Sequence, residues 1–314
     1  MKEKEKLIVL VGPTAVGKTA LSIRLAHRFQ GEIISGDSMQ IYKGMDIGTA
    51  KVTKEEMAGI PHHLIDIKEP DESFSVAEFQ KLVRKKITEI TERGRIPILV
   101  GGTGLYIQSV IYDYQFTDVP GDSSLRAELE QTAIEKGELY LHQQLKEVDP
   151  KSAESIHPHN VRRVIRALEI YYTTGKPMSE HQSEQLSQEL YHTAIVGLTM
   201  ERSKLYERIN QRVDLMISQG LIEEVKELRK RGIRNCQSVQ AIGYKEIYDY
   251  LDGKVTLDEA IEQLKKNSRR YAKRQFTWFR NKMNVQWFDV TNEHEREKKF
   301  QEISQFIAGK LHLK

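Results

Sequence analysis

GPTAVGKT, residues 12–19, lies between the apolar run LIVLV (Leu7–Val11) and the helix-like TALSIRLAHRF, and this succession of strand, glycine turn and helix decides the fold. Glycine, four residues, then Gly-Lys-Thr is the spacing of a P-loop, in which backbone N–H groups at a helix N-terminus collect anionic oxygens. Gly12 and Gly17 free the backbone, Lys18 adds a positive charge, and the Thr19 hydroxyl can meet a divalent metal such as magnesium. Residues Gly12, Pro13, Thr14, Ala15, Val16, Gly17, Lys18 and Thr19 are therefore expected to cradle a polyphosphate. The motif leaves open whose phosphates these are, and ATP is one candidate.

Outward from the loop, strand-like and helix-like segments alternate, as in a parallel α/β sheet. EIISGD (Glu32–Asp37), HHLIDI (His62–Ile67) and ILVGG after Pro97 read as further strands, and SVAEFQKLVRKKITEITERG as a helix ending at Gly94. Continuous apolar runs, as in LIVLV, suit a sheet covered on both faces. Past Phe116 only helical patterns continue until TAIVGLTM (Thr193–Met200) restores the strand grammar; later come further helices and a short strand, VQWFDV. The expected architecture is a P-loop NTPase-like α/β core with a parallel sheet and helices on both faces, plus an all-helical insertion domain. Its divisions are 1–116 for the first part of the core, 117–190 for the insertion, and 191–314 for the core continuation and a basic helical C-terminal region.

Composition narrows the setting. A chain of 314 residues, 39% of them hydrophobic, can bury a large core. Its single cysteine, Cys236, excludes an internal disulfide or a thiolate metal cluster. The short apolar run behind MKEKEK is neither a signal peptide nor a membrane span, so a cytoplasmic protein with no membrane partner is expected. The net charge of +3 says little, but its distribution says more. LKKNSRRYAKRQFTWFRNK, residues 264–282, carries eight Lys or Arg and no acid, and interleaves Tyr271, Phe276, Trp278 and Phe279. That pattern suits a nucleic-acid surface, against the plainer reading of a solvated amphipathic helix.

Other residues stand where chemistry could use them. Asp37 closes the second strand at its carboxyl end, where ligands collect in open α/β sheets. It can be a general base, a turn-stabilising aspartate or a magnesium ligand, with Asp66 competing for the last role. Gly101, Gly102 and Gly104 follow the fourth strand around Thr103, as a structural turn or as a loop close to a ligand. Arg208 and Arg212 share a helix face and can clamp a diphosphate or pair with Glu207 and Asp214. No His or Cys spacing builds a zinc site, and no nucleophile elbow is present.

GPTAVGKT, SGDSMQIYKGMDIGTAK, PHHLIDI, GRIPILVGGTGLYIQ, HPHNVRRVIRALEIYYTTGKP, AIGYKEIYDYL and AKRQFTWFR, in this order, closely resemble the bacterial tRNA dimethylallyltransferases, also called tRNA isopentenyltransferases. The similarity runs over nearly the whole chain, and ordinary P-loop kinases lack the SGDSMQIYKGMDIGTAK and GGTGLY segments. It implies transfer of a dimethylallyl group from dimethylallyl diphosphate to N6 of the adenine 3′ of the anticodon, with Mg2+, by a monomer acting on the tRNA anticodon stem-loop. By this resemblance Asp37 takes the N6 proton, Thr103 helps orient the reacting centre, Lys18 and Thr19 serve the diphosphate and magnesium, and Arg212 is a second diphosphate contact. Asp37, Ser38, Met39, Gln40, Thr103, Arg126, the run Val161, Arg162, Arg163, Val164, Ile165 and Arg166, then Gly243, Tyr244 and Lys245, resemble the RNA-contacting segments, joined by Arg269, Arg270, Lys273 and Arg274 of the basic helix. Two other enzymes compete, a P-loop small-molecule kinase and an adenylate isopentenyltransferase, beside a non-enzymatic RNA-binding module.

Overall fold

The computed structural model describes residues 4–114, 116, 123–183 and 188–313. It divides into two compact units, one formed by Met1–Tyr112 with Glu189–Lys314 and the other by Asp113–Gln188. The expected boundary at 117 falls on residues outside the described set.

In the larger unit the described strands are β1 (Lys6–Val11), β2 (Gly31–Ser35), β3 (His62–His63), β4 (Ile96–Gly101), β5 (His192–Thr199) and β6 (Gln286–Asp289). They pair in parallel in the order β3-β2-β4-β1-β5-β6. The side-chain period of two explains why β1 reads as an unbroken apolar run. Leu7, Val9 and Val11 join one core with Phe79, Val83 and Ile87 of α2 (Val76–Glu92) and Val110 of α3 (Gly104–Ile111). Ile8 and Leu10 join a second core with Leu25 and Phe29 of α1 (Lys18–Phe29) and with Ile303 and Ile307 of the last helix, Arg296–Leu311. One strand thus supplies the centre of two layers, and helices cover both faces of the sheet. Because β4 lies on one side of β1 and β5 on the other, the strand order reverses there, and a crevice opens at the carboxyl ends.

Two segments depart from the sequence expectation. The third strand ends after His63 instead of continuing to Ile67, because Leu64 and Asp66 take left-handed backbone with φ of 61° and 55°. The chain turns back there, and Ile67 N–H donates to Ile41 O at 2.8 Å. The glycine-rich segment after β4 is only briefly a loop, since α3 begins at Gly104, directly after its N-cap Thr103.

The smaller unit holds α4 (Ser123–Lys136), α5 (Glu138–Val148), α6 (Pro150–Ser155), α7 (Val161–Thr174) and α8 (Met178–Ser183) around their own core of Leu141, Leu145, Val164 and Leu168. At its side, the fully buried Glu169 carboxylate accepts from Arg126 at 2.9 Å and from Arg166 at 2.9 Å. Burial pushes that carboxyl's pKa up, and the two guanidiniums outweigh burial and hold it below the usual range. The larger unit continues with α9 (Arg202–Ser218), α10 (Leu221–Lys230), α11 (Tyr244–Leu251), α12 (Leu257–Lys282) and α13 (Arg296–Leu311). Among the described residues no helix is long and apolar enough to cross a membrane.

Candidate active site

Every group in the site belongs to the larger unit. At the carboxyl end of β1 the loop curls over its own lysine, and Lys18 Nζ donates to Gly12 O at 2.9 Å and Pro13 O at 2.7 Å. Ala15 holds the turn with φ of 63°, a left-handed conformation costly for a residue with a Cβ. The N-cap Gly17 gives α1 no side-chain cap, so the N–H groups of its first turn are left for a ligand. One loop donor is already engaged: Thr14 N–H donates to Gln275 Oε1 of α12 at 2.8 Å.

Opposite the loop, α9 contributes Arg208 and Arg212. Neither forms an ion pair among the described residues, and Asp214, an expected partner, is taken by Lys265 at 2.8 Å. Both line a groove of about 770 Å³ with Lys18, Thr19, Asp37 and Tyr271. A second space of about 270 Å³ adjoins it, walled by Ile209, Val213, Met216, Ile242 and Leu264. Thr14, Asp37, Thr49, Arg212, Met216 and Tyr271 border both. A polar, cationic trough and an apolar pocket therefore meet at one carboxylate.

Asp37 follows β2 directly, since the strand ends at Ser35 and Gly36 N–H donates to Val100 O at 2.7 Å. Gly36 and Gly101 approach so closely that a Cβ on Gly101 would stand 2.5 Å from Gly36 O, which gives the second glycine cluster a packing role. One Asp37 oxygen accepts from Met39 N–H at 2.8 Å, fixing the turn, and the other has no partner among the described residues. Turn-stabilising and chemical roles are thus compatible in this residue. Asp66 is not part of the site, because Lys51 Nζ donates to it at 2.6 Å.

The electrostatics follow from burial and crowding. Desolvation, helped by the Arg212 charge and opposed by Asp37, lowers the Lys18 pKa to about 7. Burial likewise lowers that of Arg212, against the attraction of Asp37 and Glu56. Tyr271 is pushed up to about 12 by burial and by Asp37, so its hydroxyl stays protonated at neutral pH. Beside it, the buried Thr103 Oγ1 faces the Tyr271 hydroxyl, outside good hydrogen-bond geometry.

Among the described residues no group of three His, Cys, Asp or Glu could cage a metal. The donor set still fits magnesium brought in by a diphosphate, an ion that retains water and takes few protein ligands. Thr19 and the Asp37 carboxylate both line the groove.

The residues expected to contact RNA divide. Ser38 and Met39 line the apolar pocket. Gln40 is turned inward, its amide donating to Thr49 O and Ala50 O at 3.3 Å each. Of the α7 run, Arg162 and Arg163 are exposed and Val161 and Arg166 partly so, whereas Val164 and Ile165 are buried in the core of their unit. Helical spacing forces that split on a contiguous segment. Tyr244 is also buried, with its hydroxyl donating to Glu224, and Gly243 N–H donates to Glu246; Lys245 alone of this trio is exposed. On α12, Arg270, Lys273 and Arg274 are exposed, while Arg269 Nη1 donates to Asn210 Oδ1 at 2.6 Å. The aromatics of that helix turn inward, contrary to an interleaved RNA surface. Phe279 is fully buried, Phe276 packs on Trp287, and Trp278 lies over Gly104. Sequence reasoning missed Gln275 and Glu224, whose partners are far away in the chain.

Gly48 shows how tight the wall of this site is. A Cβ there would stand 2.5 Å from the ring of the buried Tyr244. Gly48→Ala should therefore lower stability by about 1–3 kcal/mol through overpacking. Urea unfolding measures this, and an unchanged midpoint would show that the wall yields.

A family model described as IPP transferase matches residues 40–282. The tRNA dimethylallyltransferase of Geobacillus thermodenitrificans is 67% identical over 309 residues, covering 98% of each chain, and that of Bacillus anthracis is 64% identical over 312 residues, covering 99% and 98%. Among solved structures, the full-length tRNA isopentenylpyrophosphate transferase of Bacillus halodurans aligns with a TM-score of 0.75 at 61% identity, covering 98% of this chain and 97% of that one. A eukaryotic dimethylallyltransferase acting on tRNA aligns with a TM-score of 0.82 at 33% identity, covering 95% and 77%.

Proposed function

The chain belongs to the IPP transferase family, and from that premise we propose that it transfers a dimethylallyl group from dimethylallyl diphosphate to N6 of the adenine 3′-adjacent to the anticodon of tRNA, releasing diphosphate. The observation that carries this reading is the place of Asp37, between a trough lined by Lys18, Arg208 and Arg212 and an apolar pocket.

An allylic diphosphate breaks its C–O bond by moving negative charge onto the leaving oxygens. The P-loop N–H groups, Lys18 and Arg212 stabilise that charge more in the transition state than before it. Thr19 would hold a divalent ion, which when bound would further neutralise that charge. The adenine amine is a weak nucleophile, and as its nitrogen bonds to the allylic carbon, Asp37 accepts the departing proton. Reaching N6 requires a base turned out of its stack, into the apolar space beyond the carboxylate. The Thr103 hydroxyl and the protonated Tyr271 orient the reacting ends. We take the protein to act as a monomer on tRNA in the cytoplasm.

Radiolabelled dimethylallyl diphosphate offered separately with tRNA, AMP and ATP tests the assignment. Label should enter tRNA alone. Label in AMP or ATP would indicate an adenylate isopentenyltransferase, and phosphoryl transfer from ATP without prenylation would indicate a kinase.

The exposed part of the basic helix should dock tRNA phosphates. Replacing Arg270 and Lys273 together by Gln should weaken tRNA binding and flatten the slope of log K against log salt by roughly two, because each phosphate contact releases about one counterion. Transfer at saturating tRNA should change little. An unchanged salt slope would return this face to ordinary solvation.

A further inference from the structure

The geometry points to Glu224 as a positioning residue for the Asp37 carboxylate, acting through the loop that walls the active site. This assignment rests on the transfer activity proposed above.

Glu224, in the first turn of α10, receives four hydrogen bonds. Its Oε2 accepts from Asp46 N–H at 2.9 Å and Ile47 N–H at 2.8 Å, and its Oε1 from Gly48 N–H at 3.1 Å and the Tyr244 hydroxyl at 2.5 Å. Three consecutive backbone donors on one carboxylate fix the path of the loop to α10, and charge-assisted bonds of this kind are the stronger ones. The buried Tyr244 completes the latch by filling the space beside Gly48.

What the latch holds is chemically specific. Gly48 and Thr49 wall the apolar pocket, and Ile47, Thr49 and Ala50 wall the trough. The carbonyls of Thr49 and Ala50 both accept from Gln40 Nε2 at 3.3 Å. Gln40 Oε1 accepts from Ser35 Oγ at 3.0 Å, and Ser35 Oγ accepts from Asp37 N–H at 3.4 Å. A continuous path therefore runs from Glu224 to the backbone of Asp37. The two Gln40 Nε2 bonds at 3.3 Å and the Asp37 N–H bond at 3.4 Å are the long ones, so these are the steps a shift of the loop would break first. Without the carboxylate the loop loses its anchor on α10, Gln40 loses its paired carbonyls, and Asp37 keeps its bond from Met39 N–H but loses the second constraint that aims it.

A double-mutant cycle in single-turnover transfer, with tRNA and dimethylallyl diphosphate saturating, separates aiming from mere folding. Glu224→Gln keeps the size but turns a donor group toward backbone donors, and should slow transfer about tenfold or more with tRNA affinity within about twofold. Tyr244→Phe removes one of the four bonds and should slow transfer a few-fold. In an Asp37→Asn background both losses should shrink toward unity, because aiming a group that no longer accepts the proton gains nothing. Equal losses in the two backgrounds, or Glu224→Gln transferring within twofold of wild type, would overturn the assignment. Should Glu224→Gln fail to fold, Tyr244→Phe carries the same cycle. Absence of transfer by the wild-type protein would instead refute the proposed function.

Discussion

Asp37→Asn is expected to lower single-turnover dimethylallyl transfer by about 10² or more, while binding of tRNA and of the diphosphate donor stays within a few-fold of wild type. The magnitude is that of a lost general base. The substitution spares the structure, because an asparagine carbonyl oxygen can still accept from Met39 N–H, the bond that Asp37 Oδ1 makes at 2.8 Å. What disappears is the proton-accepting capacity of the oxygen that has no partner among the described residues. Donor binding is retained because Lys18 and Arg212, which Asp37 attracts, remain in the trough. Rapid quench at saturating substrates isolates the step. Transfer at near wild-type rate would remove Asp37 from the chemistry and leave it only its turn.

The parts of this site that could be read from sequence are those built from neighbours in the chain. Strand, glycine turn and helix around Lys18 span residues 6–29 and declare themselves through period and composition alone. Asp37 is legible for the same reason, as the carboxylate at the end of a strand. Gln275 could not be found that way: its bond to Thr14 N–H joins positions 261 residues apart, and nothing near Gln275 names a P-loop as its partner. Glu224 is hidden likewise, since its acceptor role depends on three N–H groups almost 180 residues earlier. Val164, Ile165 and Tyr244 lie in contiguous segments that resemble RNA contacts, and the aromatics of α12 lie in a basic run, yet helical spacing gives each segment an inner and an outer face. That spacing puts Arg162, Arg163, Lys245, Arg270, Lys273 and Arg274 on the outer one. The early end of β3 rests on left-handed Leu64 and Asp66, conformations that an HHLIDI pattern argues against.

Lys18→Ala should abolish most transfer, at a cost of about 3–4 kcal/mol of transition-state stabilisation, or 10² to 10³ in rate, because the lysine serves the leaving group as its charge develops. The environment of this lysine adds a signature in pH. Burial and Arg212 bring its pKa to about 7 in the free protein, so above that pH the amine is mostly neutral. A diphosphate beside it favours the charged form, and binding above pH 7 must therefore take up a proton. The titration of Lys18 should leave donor affinity unchanged below pH 7 and lower it as pH rises past that value, by up to about tenfold per unit while the amine in the complex stays charged. Calorimetric titration of dimethylallyl diphosphate in buffers of different ionisation enthalpy measures that uptake directly. The Lys18→Ala protein should lose it and keep only what the ionisation of the diphosphate itself contributes. The loop grips phosphate oxygens whatever is esterified to them, so ATP should compete for the same cradle without reacting, because it offers no allylic carbon beside Asp37. Phosphoryl transfer or ATP hydrolysis at a substantial rate, with no prenylated adenine formed from dimethylallyl diphosphate, would sink the isoprenoid reading of GPTAVGKT.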